Sequence, residues 1–148
     1  YEKVLGLIED ARQYKGVRIF EGGQTFNKTG YFVAPTIIAD LGDETRLVEE
    51  EQFGPVLPIL KYHDIDEAVR RANNTRFGLG SSVWTKDLDR GAQVAAQIEA
   101  GTVWLNFHAN YEADIPFGGF KESGVGRENG RLGLLSYMEP QIIHQRFG

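Results

Sequence analysis

Between Pro116 and Gly130 the chain reads PFGGFKESGVGRENG, five glycines in fifteen residues beside a lysine, an arginine and two glutamates. That much backbone freedom is costly to order, so it marks a place where something is gained from tight turning or close approach. A phosphate cradle, a flexible linker and the packed wall of an active site all use such a stretch. Gly124, Gly126 and Gly130 have a G-x-G-x-x-x-G spacing. A dinucleotide fingerprint, however, needs a strand directly before its first glycine, and PFGGFKES with its proline and glycine pair is not one. Lys121 is followed by Glu122, where a P-loop lysine is followed by Ser or Thr. Phe117 and Phe120 interleave with the glycines and call for burial, which argues against a linker. What remains is a close-packed loop, either a substrate wall or a structural corner.

A second stretch, EEEQFGPV over Glu49–Val56, sets three acids before Phe53, a glycine and a proline. An acidic run is ordinarily a solvated face. A carboxylate two residues before an aromatic, fixed by Gly-Pro, is also suited to clamp a ribose: the acid accepts two hydroxyl hydrogen bonds and the ring supports a flat heterocycle. Other candidates carry less. His63 and His144 lack a metal-ligand partner at usable spacing, so no metal site is expected.

The elements that must position these residues alternate between strand and helix. Val4, Leu5, Ile8 and Ala11 fall at helical spacing, with Gly16 as a stop. VRIF (17–20) reads as a strand and Gly22–Gly23 as a turn. YFVAPTII (31–38) and PVLPILKY (55–62) are β-rich, but Pro35 and Pro58 demote each to an edge or a strand end. Asp64 and Glu67 form a capping-box variant ahead of an apolar stripe at Ile65, Ala68, Val69 and Ala72. GSSVWT (80–85) reads as a strand. A helix from Asp87 to Ala100 follows, apolar at Leu88, Ala92, Ala95 and Ile98 and stopped by Gly101. TVWLN (102–106) is a continuous apolar strand, as expected of one covered on both faces. Helices between strands predict an α/β sandwich with at least partly parallel pairing. No internal repeat, low-complexity run or domain linker is visible.

Composition narrows the function classes. At 148 residues the chain is long enough for a real core, and 41% hydrophobic with 25% charged is ordinary for a globular protein. A net charge of −5 without Lys/Arg runs argues against nucleic-acid binding. No apolar run spans a bilayer, so no membrane partner is expected. There is no cysteine, hence no disulfide and no thiol nucleophile, which suits a cytoplasmic location. A chain opening on Tyr1 and already periodic reads as part of something longer.

Six stretches in order over nearly the whole chain give a resemblance to the C-terminal part of an NAD(P)-dependent aldehyde dehydrogenase. They are GYFVAPTI (30–37), EEQFGPV (50–56), NNTRFGLGSSVWTKD (73–87), GTVWLN (101–106), PFGGFKESGVGRE (116–128) and SYMEPQII (136–143). The resemblance implies a partial three-layer α/β sheet with flanking helices, the C-terminal half of the catalytic domain, over residues 1–136. Residues 137–148 would be the tail strand of an oligomerisation region, making a homo-oligomer.

By the same resemblance Glu51 would hydrogen-bond the nicotinamide ribose and Phe53 would lie near the nicotinamide of NAD or NADP. Residues 106–117 would be the substrate-side loop, with Phe107, Tyr111 and Phe117 lining an aldehyde tunnel. Glu128 would be an auxiliary catalytic carboxylate that helps the general base, and Arg127 would pair with Glu139. Lys121 reads as solvated, His108 as structural, and Asp114 as a charge that could attract cationic aldehydes. Gln52 stands where an aliphatic is common. The family's nucleophilic cysteine, its general-base glutamate and its nucleotide-binding domain have no counterpart here, so the remainder of the polypeptide is an implied partner. The alternative is a non-catalytic binding or oligomerisation module of the same fold.

Overall fold

The computed structural model describes residues 1–21 and 29–148, which fall into two compact units, 1–64 and 65–148. The turn expected at Gly22–Gly23 lies outside the described residues.

In the first unit, helix α1 (Glu2–Arg12) buries Val4, Leu7, Ile8 and Ala11, an i, i+3, i+4, i+7 stripe. Leu7 rather than Leu5 completes the stripe: Leu7 is fully buried and Leu5 is 40% exposed. Strands β1 (Arg18–Glu21) and β2 (Thr36–Ala39) pair antiparallel. A short helix α2 (Arg46–Glu49) then leads to β3 (Val56–Ile59), which pairs parallel with β2. The strand expected over 31–38 begins only at Thr36, with Pro35 immediately before it, while Pro58 lies on an outer strand as expected, since the sheet order is β1-β2-β3. Period-2 alternation divides the faces. Ile38 and Val56 join the α1 stripe and Leu47 in one core, each buried side chain contributing about 1.5–3 kcal/mol. The opposite face carries an exposed row, Phe20 beside Ile37 beside Leu57, with Ile59 further along.

In the second unit, α3 (Ile65–Asn73) leads to β4 (Phe77–Gly78) and β5 (Gly80–Val83), then α4 (Leu88–Ala95) and β6 (Thr102–Leu105). Finally come β7 (Phe120–Lys121) and α5 (Gly130–Leu135). β5 and β6 are parallel, with α4 packed on both, while β4 and β7 pair antiparallel. The α/β class and the partly parallel pairing are as the sequence predicts, distributed among the described residues over three small sheets.

Three differences have physical causes. Helix α4 starts where expected, with Asp87 Oδ1 accepting from the Arg90 amide at 3.0 Å. It stops at Ala95 rather than Ala100, because Asn73 takes over the backbone there: its Nδ2 donates to Gln97 O (2.8 Å) and its Oδ1 accepts from Glu99 N (2.8 Å). Only Trp104 of β6 is fully buried, because the strand has one neighbour, β5, and one packed helix. Residues 139–148 form no strand, since a strand needs a partner edge to hydrogen-bond, and Ile142, Ile143 and Phe147 are left exposed. No described helix is long and apolar enough to cross a membrane.

Candidate active site

The first group of candidates lies just after α2. Glu50 is held by Arg46, whose Nε donates to it at 2.7 Å, and by Lys3 at 3.8 Å. The Arg46 hydrogen bond, the largest influence, keeps the Glu50 carboxyl below its ordinary range. Lys3 Nζ also donates to the Glu51 carbonyl at 2.7 Å, so the backbone entering the segment is pinned from α1. The Gln52 side chain donates to Val56 O at 2.8 Å and closes the segment from its other end, a concrete role for the amide at this position. Gly54 lies against Val4 so closely that any Cβ would collide with the valine methyls. Between these anchors Phe53 adopts φ +46°, a left-handed conformation that costs a non-glycine residue about 1–2 kcal/mol. The ring is 89% exposed. Glu51 is exposed too and, unlike Glu50, makes no ion pair among the described residues. A free carboxylate and a bare ring, two residues apart on a braced and strained backbone, suit a group with hydroxyls and a flat heterocycle.

The second group is built on the end of the β5–β6 pair. Asn106 follows β6 at φ +61°, its Oδ1 accepting from Thr85 N (2.7 Å) and its Nδ2 donating to Thr85 O (2.8 Å). This clip fixes where the 106–117 loop leaves the sheet. Within the loop Tyr111 packs edge-on against Phe117 (4.7 Å, 82°) and against Trp104 (5.8 Å, 88°). Trp104 Nε1 donates to Asn110 O at 3.2 Å, and His108 stacks edge-on against the indole at 5.1 Å, a packing role as expected. Phe107, Tyr111 and Phe117, named from the sequence, line one cavity of about 150 Å³. Trp104, Asn110, Glu112 and Ile115 also line it and had not been singled out. Trp104 reads as a strand-core residue, and nothing in its local pattern shows that its indole reaches the loop.

Glu128 is joined to this wall through its backbone, with Phe117 N donating to Glu128 O and Glu128 N to Phe117 O, both 2.8 Å. Its residue is exposed. The glycine-rich stretch is a packing device: Gly101 lies so close to the Gly118 carbonyl and Gly119 Cα that no side chain fits.

Two expectations about cations are corrected. Arg127 does not pair with Glu139; its Nη1 donates to Gly119 O (2.9 Å) and Gly126 O (2.6 Å), and its guanidinium covers the Phe120 ring at 5.5 Å. The loop's own carbonyls occupy the guanidinium instead. Lys121 is not simply solvated but has protein partners. It adopts φ +54°, and its Nζ meets Glu99 (2.6 Å), Asn73 O (2.7 Å) and Thr75 O (3.2 Å), which tie β7 to the α3 end and the turn after α4. Among the described residues no cluster of three His, Asp or Glu could hold a metal ion.

The arrangement has relatives. The sequence profile described as the aldehyde dehydrogenase family matches residues 1–143. Aldehyde dehydrogenase, cytosolic 2 of Macroscelides proboscideus is 44% identical over 97% of the chain. The NAD+ complex of the aldehyde dehydrogenase from Bacillus cereus superposes with a TM-score of 0.85 at 42% identity over 93% of the chain. Succinic semialdehyde dehydrogenase from Streptococcus pyogenes, solved with NADP+, gives 0.90 at 35% identity over 97%. The chain spans 59% of the first of these and 28% and 31% of the two structures. It belongs to the aldehyde dehydrogenase family.

Proposed function

We propose that this chain is the part of an NAD(P)-dependent aldehyde dehydrogenase that supplies a nicotinamide-ribose clamp and one wall of the aldehyde tunnel. The carrying observation is the pair of an exposed Glu51 carboxylate and an exposed Phe53 ring held at φ +46°. Strain kept at a solvent-facing aromatic is consistent with a residue that works on a ligand. Glu51 would accept hydrogen bonds from the ribose hydroxyls, and Phe53 would lie against the nicotinamide. When bound, NAD or NADP supplies the hydride acceptor. The two residues here act by orientation.

Phe107, Tyr111 and Phe117 would bind the aldehyde and exclude water. Glu128 would serve as an auxiliary carboxylate that positions or relays protons for the general base. The chain has no cysteine, so the thiolate that adds to the aldehyde comes from outside these residues, as does the base. Thiolate addition gives a thiohemiacetal, loss of hydride leaves a thioester, and base-activated water hydrolyses it to the carboxylic acid and frees the thiol. Residues 1–136 would be catalytic-domain structure and 137–148 the tail of an oligomerisation region, supporting a homo-oligomer. The cytosolic relative supports a cytoplasmic location.

The test uses the complete enzyme that carries this chain, with NAD+ or NADP+ and a simple neutral aldehyde. Glu51→Gln should raise the KM for the dinucleotide and lower kcat/KM by about 10²-fold, the scale of a misplaced reactant. Phe53→Ala should act in the same direction. An unchanged dinucleotide KM in both variants contradicts the reading.

A further inference from the structure

The cavity beside the 106–117 loop has an unequal lining. Its walls are largely aromatic, from Trp104, Phe107, Tyr111 and Phe117, and neither lysine nor arginine lines it. Its one carboxylate is Glu112, which the resemblance did not single out. Glu112 Oε1 accepts from Asn110 Nδ2 at 2.8 Å, which orients the carboxylate, and among the described residues no cation pairs with it. Tyr111 packs edge-to-face with Phe117 and with Trp104, and all three rings, whose faces carry negative electrostatic potential, line the cavity. Asp114, two residues further along the same loop, adds charge of the same sign.

Aromatic faces together with an unpaired carboxylate recognise a cation: the rings attract it through their quadrupoles and the acid through its charge. They penalise an anion for the same reason, since a carboxylate guest would meet the like charge of Glu112 and the negative ring faces. At about 150 Å³ the space fits a compact group, well below the roughly 300 Å³ at which pockets for drug-sized ligands begin.

We propose that Glu112 is a specificity-determining residue that selects aldehydes bearing a positively charged group, amino or alkylammonium, over neutral ones and over those bearing a carboxylate. This rests on the proposed reading of the cavity as the aldehyde wall. The test compares kcat/KM of the complete enzyme for three aldehydes of matched length, one ending in trimethylammonium, one in a neutral tert-butyl group and one in carboxylate.

The expected order is cation, then neutral, then anion. Glu112→Gln should reduce the cation-to-neutral ratio about threefold, mainly through KM, in line with cation–π and charge contacts at a site whose lining is largely exposed. Glu112→Lys should invert the cation-to-anion preference, and Glu112→Asp should restore most of it. Because each ratio is taken within one protein, loss of folded enzyme cancels. Oxidation of the neutral aldehyde with ratios unmoved by Glu112→Gln and Glu112→Lys overturns the selectivity assignment alone. Oxidation of none of the three overturns the aldehyde dehydrogenase reading as well.

Discussion

Glu50 and Glu51 show how much neighbours decide for one residue type. The first is spent on Arg46 and Lys3 and helps hold the segment in place. The second is exposed and has no ion-pair partner among the described residues. The sequence EEE carries no sign of this division, because Lys3 lies 48 positions away from Glu51. The same kind of pairing recurs at Asp40, a residue at φ +66° whose carboxyl meets Arg18 and Lys61. The hydrogen bond from Arg18 is the largest of the influences that lower its pKa.

Both carboxyls therefore titrate below their ordinary values of 3.8 and 4.5. A depressed folded-state value means that the stability these pairs contribute is complete above the ordinary range. It is lost as pH falls through the lowered values. Both sites are open to solvent, so the effect is small. Thermal melts of the chain should fall in temperature as pH drops below about 4, and Asp40→Asn should flatten that fall. Parallel acid limbs for the two proteins would show that Asp40 contributes nothing.

Elements were legible wherever local pattern and packing agree. Val4, Ile8 and Ala11 of the α1 stripe, the start of α4 at Asp87 and the strands at 80–85 and 102–106 were readable from spacing and breakers. What escaped was set by contacts distant in sequence. Asn73 cuts α4 short from 24 residues away, and Lys121 is claimed by Asn73 and Thr75 rather than by water. The candidate wall shows the same limit. Phe107, Tyr111 and Phe117 follow from the family resemblance, whereas Trp104 and Glu112 join them only through the loop's path.

The C-terminal tail shows the converse case, a segment that reads as a strand and forms none in a single chain. PQIIHQRFG is β-prone in sequence and exposed at Ile142, Ile143 and Phe147, which leaves it available to pair with another edge. The 148-residue chain should self-associate in light scattering, and a chain ending at Glu139 should do so less. A clean monomer at high concentration for the longer chain contradicts the proposed oligomerisation strand.

For the whole molecule, Phe20, Ile37, Leu57 and Ile59 form a contiguous exposed apolar row on one sheet face of the first unit. It fits a chain that spans 28% and 31% of the matched structures and shares a fold and family with them. Function on that scale depends on whether the Glu51–Phe53 segment meets a dinucleotide. The most direct measurement is a crystal structure of the complete enzyme with NAD+ or NADP+ bound. The account predicts the Glu51 carboxylate within hydrogen-bonding distance of the nicotinamide ribose hydroxyls and the Phe53 ring beside the nicotinamide. A bound dinucleotide that leaves both side chains in bulk water contradicts it.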